Sequence, residues 1–262
     1  MKLARFRDKK GTIYNGIVEK DSITVVEGSF LSDWKPTKNT LKLSGVTLLA
    51  PIIPTSMLAL GLNYKAHAEE GNEKLPKAPA LFIKAITAIN DPEAPIVLPK
   101  MAPDEVDYEA ELAVVIRKTA RHIRQEEVKD YILGYTCAND VSARDCQFND
   151  IQWARGKSFD SFAPLGPWIE TELDPNNCAI CCRVNGRVLQ NSNTSLMIFN
   201  VSYVVSYLSM CMTMMPGTVI LTGTPAGCGF ARKPPIWLRN GDTVEVEVEG
   251  IGILKNPVVS EV

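Results

Sequence analysis

Asp107-Tyr108-Glu109-Ala110-Glu111-Leu112-Ala113-Val114-Val115-Ile116 reads as a β-strand with carboxylates on one face. Side chains alternate across a strand, so Tyr108, Ala110, Leu112, Val114 and Ile116 share one side, and Asp107, Glu109, Glu111, Ala113 and Val115 the other. The acidic side turns apolar at Ala113, so both faces are expected to be buried at one end. Two glutamates about 4 Å apart in a medium of effective dielectric about 20 repel by roughly 4 kcal/mol. They either share a proton or hold a cation. A solvent-facing sheet rim is the alternative, and this stretch alone does not choose between them.

A third acid lies farther along. Gly134-Tyr135-Thr136-Cys137-Ala138 is an apolar strand that runs into the polar turn Asn139-Asp140, and Asp140 there can complete an all-oxygen site with Glu109 and Glu111. Hard oxygen ligands favour Mg2+ or Mn2+, with Ca2+ as the other choice. Ordinary turn chemistry is the competing account of Asn139-Asp140.

Ser56 to Tyr64 is an apolar strand ending in a polar turn. Lys65 to Glu70 favours a short helix closed by Gly71. On that turn His67 and Glu70 are three residues apart, so their side chains can meet, and a carboxylate beside imidazole makes a general base. A solvated surface histidine is the competing account. Residues 71 to 80 form a loop long enough to act as a lid, and Ala80 to Ile86 returns to strand. Gln125 to Leu133 is expected to be an amphipathic helix with Val128, Tyr131 and Ile132 inward, stopped by Gly134. Ser202 to Met215 carries Val204, Val205, Leu208, Cys211, Met212 and Met215 at helical spacing, and Thr243 to Val248 alternates as a half-buried strand.

Residues 1–50 hold short β-like pieces and the polar segment Lys35 to Asn39, which suggests a small N-terminal domain followed by a main domain over 51–262. Helices are few and strands many, without a βαβ rhythm, so a β-rich, mixed α+β fold is expected.

Composition narrows the function. With 262 residues, 45% hydrophobic and 22% charged, the chain can bury a large core. A net charge of -2 gives no reason to expect nucleic acid or an anionic membrane as partner. No signal-like or membrane-spanning apolar run appears, and seven cysteines suggest free thiols, so a cytoplasmic protein is expected. The cluster Cys178, Cys181, Cys182 lacks a second ligand pair at zinc-ribbon distance and reads as buried strand cysteines. His67 and His122 are the only histidines. No GxSxG turn offers a triad nucleophile, and carboxylate chemistry remains. Lys157, between Gly156 and Ser158, can hold a substrate carboxylate or stabilise an enolate. Thr222 to Gly229 is a glycine-rich turn without a P-loop lysine, and its amides and Thr224 can grip a carboxylate.

Together these pieces closely resemble the fumarylacetoacetate hydrolase family: Gly61-Leu62-Asn63-Tyr64 with His67 and Glu70, Tyr108 to Leu112, Asn139 to Asp145, Gly156 to Asp160, and Thr222-Gly223-Thr224-Pro225. The match runs in one order over residues 55 to 255. The resemblance implies a rolled, mixed β-sandwich catalytic domain, usually a homodimer. It implies Mg2+ or Mn2+ held by Glu109, Glu111 and Asp140, with the His67-Glu70 pair brought in by an ordering lid. Its substrates are small 2-oxo acids or their enols, surrounded by Arg144, Gln147, Lys157 and Thr224, to which Tyr64 is added as a binding residue. Leu62 stands where many hydrolases and oxaloacetate-type members have Arg or Lys. That favours isomerisation or decarboxylation of a 2-hydroxydienedioate, as in aromatic-acid catabolism. Acylpyruvate or fumarylpyruvate hydrolysis and oxaloacetate decarboxylation are the alternatives, and a non-catalytic binding protein is the remote one.

Overall fold

In the computed structural model, which describes residues 1–262, the strand Ala110–Ile116 is buried at every position. It lies inside a sheet, antiparallel to Ile132–Asn139 on one side and to Thr218–Leu221 on the other. A strand covered on both faces carries apolar side chains on both, which accounts for the run from Leu112 to Ile116 and leaves Glu111 as its one charge. The expected strand from Asp107 is interrupted. Val106–Asp107 pairs separately with Ser142–Ala143, and Tyr108 and Glu109 form the step between the two ladders.

The large sheet runs, in spatial order, Trp34–Lys42, Ser22–Gly28, Ile13–Glu19, Lys2–Arg7, Ala163–Glu170, Ile132–Asn139, Ala110–Ile116, Thr218–Leu221, Ser56–Gly61, Ala80–Lys84. A second sheet orders Arg187–Asn193, Ala179–Val184, Thr243–Val248, Gly252–Ser260 and Ile96–Leu98. Thr218–Leu221 pairs in parallel with Ser56–Gly61 while most neighbours are antiparallel, so the sheet is mixed. One cluster of 55 buried residues draws on both sheets, which therefore share a core. The result is the expected β-rich, mixed α+β architecture.

The N-terminal meander continues the large sheet, with Lys2 opposite Glu170 and Leu3 opposite Ile169. It carries a small core of its own, built on Phe6, Val18, Ile23 and Val25. The polar segment Lys35 to Asn39 lies within the edge strand Trp34–Lys42, where lysines and a proline discourage further pairing.

Two expected helices differ. Gln125–Tyr131 is a tight 3-10 helix, and Ile132 opens the next strand, so Gly134 sits inside a ladder instead of ending a helix. Any Cβ at Gly134 would come within 2.5 Å of the Glu170 carbonyl, which is the reason for the glycine. The long helix covers Val201–Cys211 and ends before Met212. Val204, Val205 and Leu208 face the core as expected, whereas Cys211 and Met215 are exposed. The strand Thr243–Val248 alternates as read.

Candidate active site and metal centre

The register decides the site. Ala110 pairs with Asn139, so the next residue outward on each strand, Glu109 and Asp140, face each other where the ladder opens. The Asp140 N–H donates to the Glu109 carbonyl at 2.9 Å, and the Glu109 N–H donates to the Asn139 side-chain oxygen at 3.0 Å. Glu111, two residues along on the same face, completes a group of three buried carboxylates whose ligand atoms lie within 4.8 Å of one another. Glu111 Oε2 accepts the Gly223 N–H at 2.7 Å, while its Oε1 is buried without any partner. Gly223 has φ +97°, and a Cβ there would approach Asn63 Cβ to 2.7 Å, so only glycine presents that N–H. A buried carboxylate oxygen left unpaired in a three-acid cluster fits a hard divalent cation, and Glu109, Glu111 and Asp140 are the residues that would hold it.

Three cations surround the acids. Lys157 Nζ lies 2.9 Å from Glu109 and 2.7 Å from Asp140. Lys84 pairs with the other Asp140 oxygen and is fully buried. Arg144 donates from Nε to Asp107 at 2.9 Å, and its Nη2 makes close ion-pair contacts to Asp107 at 2.8 Å and Glu109 at 2.7 Å. Four acids, counting Asp107, thus face three bases, and the imbalance falls on Glu111. Burial, reinforced by Asp140 and Glu109, pushes its carboxyl well above the usual range. Burial acts the same way on Glu109, but Lys157 and then Arg144 outweigh it and hold that carboxyl at about 2. Burial lowers Lys84 despite its Asp140 partner.

The Lys65–Glu70 helix sets the fourth side. His67 Nδ1 lies 2.9 Å from Glu70 Oε1, and Glu70 Oε2 accepts the Gly227 N–H at 2.8 Å. The pair is thereby fixed to the glycine-rich turn as well as to its own helix. Its ring packs edge-on against Phe230 with centroids 6.2 Å apart. His67 and Glu109 open on one cavity of about 230 Å³. Arg144, Gln147, Lys157 and Thr224 line its polar side, and Leu62, Phe82, Phe148, Trp153 and Phe230 its apolar side. The loop after the helix contributes Gly71 and Glu73 to the rim, where a lid was expected. Leu62 reaches the lining from a left-handed backbone, φ 56°, a conformation costly for a branched side chain and often kept at functional positions.

Ten residues were singled out from the sequence, and nine of them gather around this cavity or directly beneath it. Tyr64 does not line the cavity. It caps the His67 helix as a buried residue whose hydroxyl has no partner. The Thr224 hydroxyl is engaged in scaffolding, donating to the Ala110 carbonyl at 3.0 Å and accepting from Gln190 at 2.7 Å. Lys84 and Gln190 escaped the sequence reading, and Asp107 was read on the acidic face without a role. Lys84 was the lone charge in an apolar strand, a signal that was present. Asp107 accepts the Gly229 and Phe230 N–H groups at 2.8 and 3.1 Å in addition to Arg144. Gln190 also accepts the Ala110 N–H at 2.9 Å from 80 residues away, and no local pattern marks it.

Comparison with known proteins identifies the family. The family model described as fumarylacetoacetate (FAA) hydrolase C-terminal matches residues 56–259, and one described as Rv2993c-like, N-terminal matches residues 1–51. The mitochondrial oxaloacetate tautomerase FAHD2A of Homo sapiens is 46% identical over 222 residues, covering 82% of this chain and 70% of its own. The crystal structure of 5-carboxymethyl-2-hydroxymuconate delta-isomerase from Mycobacterium smegmatis is 42% identical, with TM-score 0.90 and 100% of both chains covered. That of 2-hydroxyhepta-2,4-diene-1,7-dioate isomerase from Mycobacterium marinum is 40% identical, with TM-score 0.88, covering 100% of this chain and 99% of its own.

Proposed function

Because this chain belongs to the fumarylacetoacetate hydrolase family and is an enzyme of that family, we propose that it is a divalent-cation-dependent isomerase that shifts a proton within a 2-hydroxydienedioate or a related 2-oxo acid. The observation that carries this reading is His67, held 2.9 Å from Glu70 and lining the same cavity as Glu109. A divalent ion, Mg2+ or Mn2+, held by Glu109, Glu111 and Asp140 would supply Lewis acidity to the 2-oxo and carboxylate oxygens of the substrate. Glu70 fixes the His67 ring through Nδ1, which leaves Nε2 to take a proton from carbon at one position and return it at another. Lys157, held between Glu109 and Asp140, keeps positive charge beside the place where enolate charge grows. Arg144 and Gln147 orient the polar end, while the Thr224 hydroxyl stays bound to the Ala110 carbonyl and Gln190. The aromatic wall of Phe82, Trp153, Phe148 and Phe230 suits a flat conjugated chain.

The proton-shift reading is favoured over C–C hydrolysis because both solved isomerases above and the tautomerase share its chemistry in their names. The test is to incubate the Mg2+-loaded protein separately with a 2-hydroxydienedioate, oxaloacetate and an acylpyruvate. Isomerised product or accelerated enol–keto exchange is expected. Cleavage of the acylpyruvate alone, or unchanged activity after chelation, would overturn it.

A homodimer in a reducing compartment, the cytoplasm, completes the proposal. Ile151, 97% exposed, and Phe148, 61% exposed and part of the cavity lining, are large apolar side chains left uncovered, and all seven cysteines are free. Light scattering at micromolar concentration checks the mass, and a monomer would remove the dimer from the proposal.

A further inference from the structure

Cys228 is absent from the proposed chemistry, yet it lies against its base. Its Sγ is fully buried and 3.8 Å from His67 Nδ1, the same nitrogen that lies 2.9 Å from Glu70 Oε1. The three ligand atoms, one each from imidazole, carboxylate and thiol, all lie within 4.8 Å of one another. No corner of such a triangle is more than about 2.4 Å from its centre, and zinc sits about 2.0–2.3 Å from histidine, carboxylate and cysteine ligands. The Gln190 side-chain nitrogen, 3.7 Å from the sulfur, offers it an N–H. Burial first, then Asp107 and Glu109, push the Cys228 thiol well above its ordinary range, partly offset by Arg144, so the thiol keeps its proton until an ion displaces it. His67 lines the cavity, which gives an ion its way in.

We propose that His67, Glu70 and Cys228 form a second metal site, for a thiophilic ion such as Zn2+, and that its occupation switches the enzyme off. The two sites sort ions by softness: the three-carboxylate cluster takes hard Mg2+ or Mn2+, and the thiolate site takes Zn2+. The charge balances, since Cys228 releases its proton to solvent and thiolate plus Glu70 carboxylate neutralise the dication. The ion takes the Nδ1 lone pair, so the one proton of the neutral ring moves to Nε2. An Nε2 that already carries hydrogen cannot accept a proton from substrate. The inhibitory half of this proposal rests on His67 acting as the base, whereas the binding half does not.

The two halves are read separately on the Mg2+-saturated full chain. Co2+ serves as a spectroscopic stand-in, because only a thiolate ligand gives it an intense near-ultraviolet charge-transfer band. That band is expected in the wild type and lost in Cys228→Ser and Cys228→Val, with circular dichroism confirming that each variant is folded. Its absence in the wild type, or its survival in both variants, overturns the site. In turnover, equimolar Zn2+ is expected to reduce wild-type activity at least tenfold and to change Cys228→Ser less than twofold. A Cys228-dependent band without inhibition supports the site and overturns the assignment of His67 as base.

Discussion

Lys84 and Asp140 form an ion pair in which neither side chain has any solvent exposure. Removing one partner of such a pair leaves an uncompensated buried charge and costs about 3–5 kcal/mol. Lys157 also binds Asp140, which puts Lys84→Met near the lower end, about 3 kcal/mol of destabilisation of the metal-free protein by urea unfolding. The same substitution removes a positive charge that competes with a cation for Asp140. Calorimetric Mg2+ affinity is therefore expected to rise while stability falls. A variant that loses both would show that Lys84 shapes the three-carboxylate cluster, instead of competing for it.

Glu111 gives the pH dependence. Burial, with Asp140 and Glu109 beside it, raises its carboxyl well above the unfolded value. The folded metal-free protein therefore keeps a proton that the unfolded chain releases, and its contribution to stability falls as pH rises from the unfolded pKa of about 4.3 toward the folded one. A cation must displace that proton, so Mg2+ affinity, and the rise in Tm it gives, should increase with pH over the same window. Glu111→Gln should abolish the Mg2+-induced rise and flatten that window. Thermal melts with and without Mg2+ across pH 5 to 8 check both, and an equal Mg2+ effect at all pH values would count against proton displacement at Glu111.

Much of this site was legible because the strand period is local. Glu109 and Glu111 share a face by spacing alone, and His67 and Glu70 meet by helical spacing. Asp140 was legible only as a strand end, because its approach to Glu109 depends on the Ala110–Asn139 register, which no stretch of sequence states. Lys84 and Gln190 act across 56 and 80 residues, beyond any periodicity. The error at Gln125 to Leu133 has a similar source. Val128, Tyr131 and Ile132 satisfy helical spacing, but Ile132 is claimed by pairing with Ile116, and tertiary pairing overrode the local preference.

Asp107 is predicted to be a positioning residue. It accepts from Arg144, Gly229 and Phe230 while fully buried, so it ties the arginine beside Glu109 to the turn that carries Phe230. Asp107→Asn keeps the shape but removes the charge opposite Arg144, and a loss of about 3 kcal/mol or more in urea unfolding is expected. KM should rise more than kcat falls, because Arg144 and Phe230 line the cavity but do not move the proton. A fall in kcat alone would instead place Asp107 in the chemistry.

His67 and Glu70 separate catalysis from metal binding. The His67 ring is held by Glu70, and Glu70 by the Gly227 N–H, yet neither residue belongs to the three-carboxylate cluster. His67→Ala should therefore leave calorimetric Mg2+ affinity within about twofold while lowering kcat by about 10²–10⁴, the usual worth of a positioned general base. Glu70→Gln keeps the hydrogen bond that orients the ring, so its loss in kcat should be smaller than that of His67→Ala. Loss of Mg2+ binding in His67→Ala would mean that the histidine is a ligand, and an unchanged kcat in Glu70→Gln would leave the carboxylate charge without a part in the base.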